Sequence, residues 1–229
     1  MSILSDLLAR VAFLAAMPAI VGVFVTAMLL VVSRDWRLNV IALAAQYFFV
    51  ALLMTQVIRV EMAAVKGLIG WVICLVFYLT EQQTQSLARS PGSQEPLSLQ
   101  SWFAARMEGW RREGISAWAG FSFMAAILVD ATAYATSSAM PLPQISQGLT
   151  LACYLLAGKG ILLVGLSQDP LRVGIGLLMF LLGFDLFYVA LEPSLLVTGF
   201  LGAISFVIAL GAAYLKAAQA TATGEERIL

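Results

Sequence analysis

The twenty-one residues from Leu171 to Leu191 contain only two charged side chains, Arg172 close to one end and Asp185 well inside. A stretch this apolar can pair its own backbone groups in lipid only as a helix, and at ~1.5 Å of rise per residue it spans the ~30 Å hydrocarbon core. Six further runs do the same, at about 11–32, 38–58, 62–80, 116–138, 147–166 and 194–215. The expected fold class is therefore all-α, a polytopic membrane protein with about seven transmembrane helices. Pro18 lies inside the first run and should kink it, because proline lacks an N–H and crowds the preceding turn. Asp6 precedes that run, which at about 22 residues is longer than a signal-peptide core, so it is expected to stay as a helix.

Composition narrows the chemistry. The chain is 61% hydrophobic and 11% charged, with zero net charge and no histidine. Soluble domains lie near ~45–50% apolar and ~25% charged. There is no basic stripe to neutralise phosphates, so no nucleic-acid partner is expected. Without histidine, the commonest metal ligand and the usual general base are missing. Cys74 and Cys153 both fall in apolar runs, without CxxC spacing, and read as small buried hydrophobes. An iron–sulfur centre takes about four thiolates. No metal and no cofactor is expected in this chain.

Lysine and arginine bias sets the expected orientation. If the loop at 81–115 is cytoplasmic, Arg34, Arg37, Arg89, Arg106, Arg111, Arg112, Arg172, Lys216 and Arg227 share that side, against Arg10 and Arg59 on the other. The N-terminus is then outside and the C-terminus cytoplasmic. Within the loop, "TEQQTQSLARSPGSQEPLS" is polar with Pro and Gly and reads as flexible. "LQSWFAARMEGWRRE" places Leu99, Trp102, Phe103, Met107 and Trp110 on one helical face, followed by Arg111 and Arg112. That face suits the headgroup layer as an interfacial helix, or a cytoplasmic partner.

The chain also repeats itself. "QYFFVAL" (Gln46–Leu52) and "DLFYVAL" (Asp185–Leu191) agree, or exchange Phe for Tyr, at five of seven positions with an offset of 139. The same offset puts Ala64-Val65 on Ala203-Ile204 and Lys66 on Ser205. Short charged loops, "SRDWR" and "SQDPLR", precede both matched helices. Helices one to three and five to seven are thus expected to be two parallel three-helix repeats, joined by one linker helix that restores the direction of the chain. The expected divisions are a first repeat at 1–80, a cytoplasmic loop with the interfacial helix at 81–115, a linker helix at 116–146, a second repeat at 147–216 and a cytoplasmic tail at 217–229.

Four charges fall within the apolar runs: Lys66, Asp130, Lys159 and Asp185. They sum to zero, which permits pairing. A carboxylate at the bilayer centre costs ~2.5–3.5 kcal/mol on insertion scales. The lysines are longer and can snorkel toward an interface. Two readings stay open for each aspartate. It is part of a proton or cation relay, since carboxyl groups in a low dielectric can load and unload protons, or it pairs with a lysine or hydroxyl to fix helix register. On the sixth helix, Gly174, Leu178, Asp185 and Val189 share one face, with Gly176 and Gly183 nearly opposite. Protein is expected on both sides of that helix.

These residues carry a resemblance. "LLVGLSQDPLRVGIGLLMFLLGFDLFYVAL" followed by "LLVTGFLGAISFVIALGAAYL" resembles a family of small membrane proteins. It comprises the K subunit of respiratory complex I, its counterpart in the multisubunit sodium/proton antiporters, and component E of hydrogenase-4. Gly183-Phe184-Asp185-Leu186 matches the family's Gly-apolar-carboxylate-apolar element, with Asp185 where the family has a glutamate. Val207-Ile208-Ala209-Leu210 matches a second element, and Ser205 stands where a second carboxylate would be. In the first copy, Gln46 and Lys66 occupy the corresponding places. "RLNVIALAAQYFFVALLM" followed by "MAAVKGLIG" is most similar to the hydrogenase-4 component E type, as is the number of helices.

The resemblance implies a small, non-catalytic subunit of a complex I-like assembly in a prokaryotic inner membrane. Its partners would be antiporter-like membrane subunits and the lipid bilayer. The ion-pathway candidates are Asp185, Asp130, Lys66, Lys159, Gln46 and Ser205. A stand-alone secondary transporter with parallel repeats is the alternative. An intramembrane enzyme is disfavoured, since the chain has no HExxH, no GxSxG and no clustered aspartates.

Overall fold

The computed structural model describes residues 2–58, 60–88, 117–141, 146–191 and 194–226. The expected interfacial helix, with Leu99, Trp102, Phe103, Met107 and Trp110, lies outside these residues, as does Arg59. Seven helices account for nearly all that is described: α1 (Ser2–Val32), α2 (Trp36–Met54), α3 (Val60–Ala88), α4 (Ala117–Ala139), α5 (Gln147–Leu166), α6 (Pro170–Leu191) and α7 (Leu195–Glu226). No strand occurs among the described residues. Five of the helices are long and apolar enough to cross a bilayer, and the segment Met17–Val32 of α1 is a shorter apolar helix. The chain is membrane-embedded.

Helix ends follow local chemistry. Ser146 is extended and its hydroxyl accepts from the Leu149 N–H, a standard N-cap for α5. Asp169 does the same for α6, accepting from Leu171 N, and Pro170 takes the first helical position, where no N–H is needed. α1 continues through Pro18 as one helix. Two elements run past their expected ends. Residues 81–88, expected to open the flexible loop, continue α3, and 217–226, expected as a tail, continue α7. Glutamine and alanine are good helix formers, so both extensions are locally favoured once the apolar part has nucleated the helix.

Loops of three residues (33–35 and 167–169) and five residues (55–59) make consecutive helices antiparallel neighbours. α1, α2 and α3 form one row and α5, α6 and α7 a second. The rows lie side by side, with α1 against α5, α2 against α6 and α3 against α7, while α4 packs on α5 and touches α1. The shared core is built from Leu30, Leu43, Ile73, Phe77, Leu156 and Leu178, all essentially inaccessible. Large apolar side chains such as Leu68, Trp71, Met124, Phe200 and Tyr214 point outward, as expected of a surface that faces lipid.

The closest contact is between α5 and α6. A Cβ at Gly160 would lie 2.5 Å from Phe180 N and 2.8 Å from Gly176 O, and one at Gly183 would lie 2.9 Å from both Ala157 N and Cys153 O. Backbone meets backbone here, so nothing can move aside. On the opposite side of α6, a Cβ at Gly174 would meet Ala212 of α7 at 2.5 Å and Phe77 of α3 at 3.4 Å. Both sides of α6 are therefore flanked by protein, as the spacing of its glycines predicts. Gly160→Leu and Gly183→Leu should each destabilise the bundle by about 1–3 kcal/mol or prevent assembly. Thermal unfolding in detergent checks this, and Gly211→Ala, with open space around it, should leave the midpoint unchanged.

Candidate functional site

Polar side chains in a lipid-embedded bundle have two ways to be satisfied. The short hydroxyls turn back on their own helix. Thr26 donates to Gly22 O, Thr80 to Val76 O and Ser205 to Leu201 O, each at 2.8 Å. Charged side chains are too expensive for that and need a counter-charge from another helix.

The four charges that fall within the apolar runs do find each other. Lys66 Nζ of α3 lies 2.5 Å from Asp185 Oδ2 of α6, and both side chains are less than a tenth exposed. Lys66 is six residues from the start of α3 and Asp185 six from the end of α6. At ~1.5 Å per residue, both lie ~9 Å from the same end of the bundle, which is why the charges meet at one level. The pair ties the first row to the second. Tyr47 of α2 is buried next to it, near enough to interact electrostatically with Asp185 and Cys74, and a Cβ at Gly70 would run into its ring.

The second pair joins α4 and α5. Lys159 Nζ lies 2.9 Å from Asp130 Oδ1, and the Lys159 side chain is wholly buried. Its ammonium also sits 4.4 Å from the ring centroid of Phe24 and 3.9 Å from Met28 Sδ, both on α1. Lys159 thus does not snorkel. Aromatic face, thioether and carboxylate replace water around it, a set of contacts that compensates a desolvated cation.

Of the six candidates, the structure brings together Lys66 with Asp185 and Lys159 with Asp130. Gln46 is fully buried, and neither its amide oxygen nor its nitrogen has a hydrogen-bond partner. The Ser205 hydroxyl is engaged by its own helix. Asp185 Oδ1 and Asp130 Oδ2 have no hydrogen-bond partner either. Each carboxylate therefore keeps an oxygen free to accept a hydrogen bond. Among the described residues no group of three or more potential ligands could hold a metal ion.

A third charged cluster was not singled out by sequence. Lys216 of α7 donates to Asp169 Oδ1 at 2.9 Å and lies 4.0 Å from Glu81 of α3. Arg172 Nη2 donates to Ser33 O at 3.0 Å and Val31 O at 3.3 Å. These contacts gather the C-terminal end of α1, the α5–α6 loop, the first turn of α6 and later turns of α3 and α7 at one end of the bundle. In the sequence these residues lie in separate loops and helices, where Arg172 and Lys216 register as orientation signals only.

No protein-family profile, curated protein or solved structure matches the chain.

Removing one partner of a buried pair leaves an uncompensated charge. Lys66→Met should therefore destabilise the bundle by about 3 kcal/mol, the low end for such a change, because the unfolded chain in lipid bears part of the same penalty. Lys66→Met with Asp185→Leu should recover most of that loss, since apolar replacement of a whole pair is often neutral. Detergent unfolding of the wild type, Lys66→Met, Asp185→Leu and the double variant completes the double-mutant cycle.

Proposed function

We propose that the chain is a small membrane subunit of a complex I-like assembly, of the membrane-bound hydrogenase or cation/proton antiporter type. It sits between larger antiporter-like subunits and contributes polar groups to a proton or cation path. The observation that carries this reading is the Lys66–Asp185 pair. A titratable carboxylate with one free oxygen lies beside an ammonium inside the membrane, in the sequence context Gly183-Phe184-Asp185-Leu186.

The arrangement of helices supports a duplicated origin. If α1–α3 and α5–α7 are parallel copies, each helix packs beside its own counterpart. Gln46 and Asp185 are then equivalent positions, as are Lys66 and Ser205. One copy supplies the ammonium and the other the carboxylate, so the divergence of the repeats produces the pair. α4 is the linker helix, and it contributes Asp130 to the second pair. The end that carries Arg34, Arg172 and Lys216 is the cytoplasmic one in this reading, which puts the N-terminus outside.

A carboxylate 2.5 Å from an ammonium can pass a proton only if the pair opens. The role assigned to the larger subunits is to shift that equilibrium, by bringing charge close to Lys66 or Asp185. Coupling of this kind needs no redox group in this chain.

Two measurements test the reading. Affinity purification from native membranes should bring down hydrophobic partners of antiporter size. A chain recovered only as a homo-oligomer would favour a stand-alone transporter instead. In the intact assembly, Asp185→Asn should lower ion translocation on the order of tenfold or more, because an amide cannot carry the proton. Full translocation with assembly preserved would remove Asp185 from the path.

A further inference from the structure

Beneath the Lys216 cluster is a cavity of about 120 Å³, lined by Arg34, Asn39, Glu81, Asp169 and Arg172 together with apolar side chains including Ile175. Arg34 is exposed at its mouth, while Asn39 is only 3% and Glu81 only 8% accessible. Phe77 also borders it, and Gly174 lets that ring approach α6 closely.

The polar atoms around this space are incompletely matched. Asn39 Oδ1 is buried and accepts no hydrogen bond. Glu81 Oε2 has Lys216 at 4.0 Å but no hydrogen bond. Arg172 Nε is buried and donates to nothing, although its Nη2 is used twice. A buried cation would answer Asn39 and Glu81 but not the Arg172 donor. An anion would answer Arg172 and oppose Glu81 and Asp169. Water does both, since it donates and accepts, and a polar cavity with several partners holds it stably. The space is large enough for more than one water molecule.

We propose that this cavity is a water-filled vestibule, open at the end of the bundle that carries Arg34, Asp169 and Lys216 and closed toward the membrane interior. Seven residues further along α2 from Asn39 is Gln46, and between them Leu43 is wholly buried, as are Ile73 on α3 and Leu178 on α6. These side chains form a dry layer. Water reaches Asn39 from one side and stops there. The vestibule brings the aqueous phase several ångströms into the bundle at the end opposite the Lys66–Asp185 pair. A single chain in a bilayer holds this vestibule whether or not it is a subunit of a larger assembly.

Hydroxyl-radical footprinting of the wild-type chain in lipid nanodiscs tests it. Radicals generated from bound water modify adjacent side chains even where bulk solvent does not reach. Ile175 borders the cavity at 3% exposure, and Ile73, of the same chemistry, lies in the dry layer at 0%. Ile175 should be modified about tenfold faster than Ile73 if ordered water fills the cavity. Equal, background-level modification of the two would overturn the proposal. Asn39→Leu, which removes the unmatched acceptor and fills space, should bring Ile175 down to the level of Ile73. Undiminished modification in a folded Asn39→Leu protein would also count against it. The wild-type comparison stands even if that variant fails to fold. Replacing choline chloride by sodium chloride should leave the pattern unchanged, and protection of Ile175 by sodium would mean that a cation, not water, occupies the site.

Discussion

A charge in hydrocarbon has no water to stabilise it, and this bundle is organised around that fact. Lys66, Asp130, Lys159 and Asp185 would each be prohibitive alone. As two pairs they become connections, since each ammonium lies within 3 Å of a carboxylate on another helix. The attraction falls with distance and is strong only in a low dielectric, so it acts as a register device as well as a stabiliser. Lys66 and Asp185 fix the level of α3 against α6. Asp130 and Lys159 hold α4, which packs on α5 and touches α1, in register against α5. The contacts of Lys159 with Phe24 and Met28 extend this hold to α1.

Between the charged levels, small residues do what the hydrophobic effect does in water. Lipid tails are as apolar as leucine, so helices gain little by merely covering apolar surface. They gain by close contact, and Gly160, Gly176 and Gly183 let α5 and α6 approach until backbone atoms touch across the interface. α6 thereby becomes the most enclosed helix of the second row, and Asp185 is carried into the interior on a rigid support. A carboxylate presented this way keeps a defined geometry toward Lys66 while its second oxygen stays free.

Much of this was legible in the chain before folding. Apolar runs of bilayer length predicted seven transmembrane helices; seven helices are described at closely similar positions, five of them long and apolar enough to cross a bilayer. The glycine spacing on α6 predicted protein on both of its sides. The ends were less legible: α3 and α7 run on through Gln- and Ala-rich segments that are polar enough to read as loop, because polarity signals exposure to water and says little about backbone conformation. Lys159 was also misread as a candidate for snorkelling, since a lysine two turns from a helix end has the reach. In the fold, Phe24, Met28 and Asp130 surround its ammonium and remove the reason to leave.

The sequence by itself determined that the chain lives in a membrane as helices, where those helices lie, and that four charges inside them sum to zero. Those are local properties, set by hydropathy and by a helical period that needs no neighbour. Tertiary structure alone decided which lysine meets which aspartate, that the Gln46 amide is buried without a hydrogen-bond partner, and that Asn39, Glu81 and Arg172 line a polar cavity. Partner choice depends on which faces of distant helices come within about 4 Å, where Coulomb energy in a low dielectric becomes decisive. That distance is a product of how the seven helices settle against one another, and no linear pattern encodes it.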